Sequence, residues 1–122
     1  NAYLGGLYLQ EGEFKKAAET LGNYSATGSP VIDPLVLGML GDAYSELKDY
    51  DKAATYYKKA SDKHSNSFTS PLFLKKLGLV YEEQKEFDNA AEAYKTIKQE
   101  YPDSYEATLI DAYIARAEAR SN

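Results

Sequence analysis

The chain has 122 residues, 43% of them hydrophobic and 27% charged, with a formal charge of −5 and no cysteine. This suits one soluble domain without a disulfide framework, thiol nucleophile or thiolate metal site. The acidic balance argues against nucleic acid or anionic lipid as the main ligand, since phosphate binding draws on clustered Lys and Arg, and no apolar run approaches the length needed to span a membrane, so no membrane contact by these residues is expected.

In chain order, residues 1–10 read as a helix with Leu4, Leu7 and Tyr8 on one face, and Gly12 supplies a turn before a second helix from Glu13 to Leu21, ended by Gly22. The stretch NYSATGSPVID that follows is a loop by composition, with Val31 and Ile32 expected to fold back onto the core. Asp33-Pro34 and Ser70-Pro71 each offer an N-cap acceptor followed by proline at the first helical position, where the missing N–H costs nothing. Helices are therefore expected over Pro34–Leu47, Tyr50–Asp62, Pro71–Gln84 and Phe87–Glu100. Lys48 and Lys85 stand between paired helices where glycine would be easier, and must turn left-handed or take a different turn. After Tyr101-Pro102, Asp103 with Glu106 has the spacing of a capping box for a last helix through Arg120. Its Tyr105, Leu109, Ala112, Tyr113 and Arg116 would cover the preceding helices while Glu106, Glu118 and Arg120 stay wet.

These elements repeat. GDAYSELKDYDKAATYYKKA, starting at Gly41, is echoed by GLVYEEQKEFDNAAEAYKTI, starting at Gly78. Gly41/Gly78, Tyr44/Tyr81, Tyr50/Phe87, Ala53/Ala90 and Tyr57/Tyr94 all keep one offset of 37 residues, and a weaker copy, Gly5, Tyr8, Phe14, Ala17 and Leu21, lies upstream. A period in this range marks a solenoid. Small residues at helix crossings let two axes approach while flanking aromatics fill the grooves. Bulk at Ala53 or Ala90 would overpack such a crossing.

Leu40, Gly41 and Tyr44 in one helix with Ala53 and Tyr57 in the next, repeated by Leu77, Gly78, Tyr81, Ala90 and Tyr94, resemble the tetratricopeptide repeat, whose unit of roughly 34 residues is an antiparallel helix pair. The resemblance implies an all-α, right-handed superhelical α-solenoid. The expected single domain, 1–122, comprises repeats at about 1–33, 34–70 and 71–104 and a capping helix at about 104–120. Tyr24 replaces a small alanine of the family pattern, so the second helix should end early. Asn1 falls at about the fourth position of a repeat, which suggests a fragment of a longer protein with any anchor upstream.

No constellation supports catalysis. His64, the single histidine, lies in a predicted loop with no partner group in sequence, which reads as a solvated side chain. Glu82-Glu83 and Asp49/Asp51 read as solvated faces flanked by lysines. Gly5-Gly6 lies in a helical pattern with no Gly-Lys-Ser/Thr after it, so there is no phosphate loop. No enzymatic activity, cofactor or metal is expected.

The family architecture lines a concave groove with the first helix of each repeat. The positions mapped onto it are Gly6, Leu9, Gln10, Leu35, Gly38, Asp42, Ser45, Glu46, Leu72, Lys75, Leu79, Glu82 and Glu83. Leu9, Gln10, Asp42, Ser45, Glu46, Lys75, Leu79, Glu82 and Glu83 are the candidate contacts for a protein or peptide partner. Some members clamp a partner's terminal carboxylate with Lys and Asn. The matching positions here are Ala2, Gly6, Met39, Leu72 and Lys76, and only Lys76 has the charge, so acidic chaperone tails are not expected ligands.

The expected function is a non-catalytic protein-binding scaffold. The repeat loops and the ending IDAYIARAEA are similar to the C-terminal part of membrane-anchored bacterial tetratricopeptide proteins such as the ancillary Sec-translocon subunit, which implies a periplasmic domain in envelope protein handling or assembly. The alternatives are a regulatory or substrate-positioning module of a larger enzyme, and a self-association domain forming a homo-oligomer.

Overall fold

A computed structural model describes residues 1–121. Seven α-helices follow in order: α1 (Ala2–Gln10), α2 (Phe14–Gly22), α3 (Ile32–Glu46), α4 (Tyr50–Asp62), α5 (Ser70–Glu83), α6 (Phe87–Glu100) and α7 (Ile110–Arg120), with a 3₁₀ turn over Tyr105–Leu109 before the last. There are no strands among the described residues. Each helix packs mainly on its neighbours in sequence. The core is correspondingly a row of three clusters, one centred on Ala17, Leu21, Leu40 and Ala43, one on Ala53, Tyr57, Phe73 and Leu77, one on Ala90, Tyr94, Ile97 and Ile110. A core assembled from neighbour contacts along the chain is that of an α-solenoid.

The helix crossings are built from a small residue facing a large one. A Cβ added to Gly41 would lie 2.5 Å from the Tyr57 ring, and one added to Gly78 would lie 2.3 Å from that of Tyr94. Gly5 is closed in the same way by Leu21, at 2.4 Å. Ala53 and Ala90 have no exposed surface. A large side chain of each second helix, Leu21, Tyr57 or Tyr94, thus occupies the notch left by the glycine of the first, which brings the two axes together.

Turns between paired helices use left-handed residues, Gly12 at φ 78°, Lys48 at φ 61° and Lys85 at φ 60°. The left-handed alternative is therefore the one adopted, and the two lysines carry the steric cost that Gly12 avoids.

Several expectations need correction. Asp33 and Ser70 do not cap their helices. α3 begins at Ile32 and α5 at Ser70, with the prolines inside the first turn, where they are also tolerated. Asp33 instead turns back to the preceding loop, accepting from the backbone N–H of Thr27 at 2.9 Å and of Gly28 at 2.7 Å. Ser70 donates to the Ser61 carbonyl at 2.8 Å, tying α5 to the end of α4. With the loop anchored through Asp33, Val31 and Ile32 remain exposed rather than folding onto the core. On α1, Leu4 is also exposed, and the inward positions are Ala2, Gly5, Tyr8 and Leu9.

The last helix differs most. Ser104, not Asp103, accepts from the Ala107 N–H, and a 3₁₀ turn intervenes before α7. The turn rotates the helix, so its inward face is Ile110, Tyr113, Ile114 and Ala117, while Tyr105 and Leu109 point to solvent.

Candidate functional site: a groove along α1, α3 and α5

Three recesses join along the first helices of the pairs. One of about 410 Å³ is lined by Ala2, Tyr3, Gly6, Leu9, Gln10 and Met39, among others. The next, about 330 Å³, shares Leu9 with it and adds Phe14, Asp42, Ser45, Glu46, Tyr57 and Lys76. The third, about 460 Å³, shares Asp42, Ser45, Tyr57 and Lys76 and extends to Leu79, Glu82, Glu83, Arg116 and Arg120. The shared residues make one continuous trough, mainly apolar at the α1 end and charged at the α7 end.

The trough brings together every candidate contact except Lys75. That ammonium lies 4.8 Å from the centroid of the Tyr113 ring on α7, which Arg116 also approaches, at 4.9 Å. Gly38, mapped to the groove surface, is buried beneath the Phe73 ring, 2.1 Å from where a Cβ would stand. Leu35 and Leu72 pack against the second core cluster. Leu79 is 39% exposed and presents the large apolar side chain on the α5 wall.

Two of the groove carboxylates serve the fold. Asp42 accepts from the Tyr57 hydroxyl of its own repeat and from Lys76 Nζ of the next, at 2.8 Å. Glu82 accepts from the Tyr94 hydroxyl at 2.6 Å and from Arg116 at 2.9 and 2.6 Å, with Arg120 at 3.2 Å. Only 7% of the Glu82 side chain is exposed. The reading of Glu82-Glu83 as a solvated face therefore holds for Glu83, which is exposed, and fails for Glu82. Asp49 caps α4 by accepting from the Lys52 N–H, and Asp51 accepts from Gln84 at 2.6 Å.

Burial alone would raise the Glu82 carboxyl's pKa, but the Arg116 and Tyr94 hydrogen bonds outweigh it and hold the group below its usual value. The same burial, reinforced by the adjoining carboxylate, pushes the Tyr94 and Tyr57 hydroxyls well above the ordinary phenol range, so both remain donors.

Sequence reasoning left out Arg116, Arg120 and Tyr57 as groove residues. For Arg116 a usable signal was present: it stands 34 residues after Glu82, as Lys76 stands 34 after Asp42, whereas Arg120 (38 after Glu82) and Tyr57 (15 after Asp42) do not share that spacing. A separation three residues, about one helical turn, short of the 37-residue offset carries a side chain from one first helix onto the next.

His64 stays on an exposed loop, with its Nε2 3.7 Å from an Asp33 oxygen. Among the described residues no three His, Cys, Asp or Glu side chains gather as a metal ion would need. No helix among them is long and apolar enough to cross a membrane.

The glycine-tyrosine crossings recur at the repeat period, and a family profile described as tetratricopeptide repeat matches residues 39–105, more than half of the chain. The chain belongs to the tetratricopeptide repeat family. The matched residues of this tetratricopeptide protein contain both strong copies of the pattern. No curated protein matches it. Tetratricopeptide repeats generally mediate protein–protein interaction and are typically non-catalytic scaffolds.

Proposed function

We propose that this protein is a non-catalytic scaffold that binds a protein or peptide partner in the trough formed by α1, α3 and α5. The observation that carries this reading is the continuity of the three recesses, which share Leu9 at one junction and Asp42, Ser45, Tyr57 and Lys76 at the other. An extended segment can lie along such a trough with apolar side chains toward Leu9 and Met39 and polar ones toward the charged end. Leu9, Gln10, Ser45, Glu46, Leu79 and Glu83 are the proposed contacts. Asp42 and Glu82 shape the wall through their internal bonds, and Lys75 acts at the α7 edge.

The test is crosslinking and pulldown with the intact protein beside a Leu79→Glu variant. Leu79 is partly exposed, so the substitution leaves the core alone while placing a charge on the trough wall. Partner recovery should fall sharply. Undiminished recovery would move the binding surface elsewhere.

For the finer role we propose client handling or assembly at the periplasmic side of a bacterial membrane, a reading that rests only on the resemblance drawn from the sequence of IDAYIARAEA and the repeat loops. Fractionation of cells expressing the intact protein tests it, and recovery with the cytosolic fraction would rule it out.

A further inference from the structure

The first helix pair is short by a turn where the others are complete. α2 stops at Gly22 after 9 residues, whereas α4 and α6 run to 13 and 14. One repeat further on, α4 continues through buried Ala60 and Ser61, and α6 through Ile97, which has no exposed surface. In the first repeat the chain has left the helix at this point, and Tyr24 turns its hydroxyl to Asp33 at 3.2 Å. The missing turn leaves a recess of about 530 Å³ between α2, α3 and α4, separate from the trough.

Its walls are Leu21, Val36, Leu37 and Leu40, together with the rings of Tyr24 and Tyr56. Lys59 and Lys63, one turn apart at the end of α4, also border it. Neither lysine is ion-paired among the described residues, and Lys59 lies 5.2 Å from the Tyr56 ring centroid. Asp33 and Asp62 line the recess as well, and both carboxylates are engaged by other groups. Asp62 faces Lys58 at 3.8 Å, and Asp33 accepts from Tyr24, Thr27 and Gly28. The recess therefore pairs an apolar, aromatic interior with spare positive charge.

We propose that this recess binds a small amphiphile, an aromatic or aliphatic body with one carboxylate, its body against Leu21, Val36 and Leu40 and its anion at Lys59 and Lys63. The volume falls within the few hundred to a thousand Å³ typical of small-molecule sites, and the combination of apolar walls with few polar groups fits that class. Charge complementarity selects an acid over a neutral or basic head.

The experiment titrates the chain with 1-naphthaleneacetate and with its uncharged amide, by calorimetry and by amide chemical shifts. Gly22 lines the recess and a Cβ added there meets no atom within 4 Å, so Gly22→Leu is the variant chosen to fill it. Ala26→Trp covers it from the exposed loop, as a second block independent of α2. The acid should bind saturably at one site, with shifts at residues bordering the recess. The amide, and the acid with the Lys59→Ala/Lys63→Ala variant, should bind about tenfold more weakly. Both blocking variants should keep the helical spectrum and lose the binding. Absent saturable binding, equal affinity for acid and amide, or full binding by a folded blocking variant would each overturn the assignment.

Discussion

Glu82 on α5 and Arg116 on α7 meet in a two-point ion pair, with guanidinium nitrogens 2.9 and 2.6 Å from the two carboxylate oxygens. The pair crosses from the last helix hairpin to the final helix, and the Tyr94 hydroxyl of α6 completes it. Three helices thus converge on one carboxylate. Glu82→Gln keeps the shape but removes the charge, leaving Arg116 and Arg120 facing each other without a counter-ion. A loss of about 1–3 kcal/mol is expected, concentrated in α7. Hydrogen exchange should quicken in Ile110–Arg120 well before the rest, and uniform protection would mean that apolar packing alone secures the helix.

Acid should weaken the fold through two carboxylates. Loop hydrogen bonds, the Thr27 N–H first, outweigh the opposing effect of burial on Asp33 and lower its pKa from 3.8 to about 2, and Glu82 is likewise held below its usual value. A group with a depressed folded-state pKa stabilises the fold above its unfolded value, and that contribution disappears as pH falls through the folded one. For Asp33 the window runs from 3.8 down to about 2. Denaturation midpoints should fall steadily over that range, and Asp33→Asn should flatten the slope. An unchanged slope in Asp33→Asn would show that other carboxylates dominate.

Gly78→Ala tests the crossings. The new Cβ would stand 2.3 Å from the ring of Tyr94, a residue without exposed surface and with its hydroxyl fixed on Glu82. The ring has nowhere to go, so a cost on the order of 1–3 kcal/mol is expected. Ala53→Leu, at another fully buried crossing, should lower the melting temperature in the same way. Gly22→Ala, with open space around its Cβ, serves as the neutral or stabilising control. Equal melting of all three variants would remove steric closeness from the account.

Lys48 and Lys85 hold left-handed backbone at φ 61° and 60°. Lys48→Gly and Lys85→Gly relieve that strain, offset in part by the greater freedom of glycine in the unfolded chain. Each should add about 1 kcal/mol, and the double variant roughly the sum, since the turns belong to different helix pairs. Chemical denaturation measures this directly. Absence of a gain would imply that the turn hydrogen bonds, such as Asp49 N–H to the Tyr44 carbonyl at 2.9 Å, already offset the strain.

The helix pairs, their antiparallel order and the small-against-large crossings were legible in the residues themselves, because a helix places side chains three and four positions apart on one face and the pattern recurs at a fixed offset. Gly41 with Tyr57 and Gly78 with Tyr94 are such cases, and the early end of α2 could be read from Gly22 and Tyr24. Only the tertiary structure decided which charged groups are spent inside the molecule. Asp42 and Glu82 look like any acid on a helix face until stacking brings Lys76 and Arg116 within hydrogen-bond reach. The rotation of α7 after its 3₁₀ turn, the backward reach of Asp33 and the recess behind α2 are of the same kind. Each depends on how separate elements are set against one another, and a short-range periodicity carries no information about that.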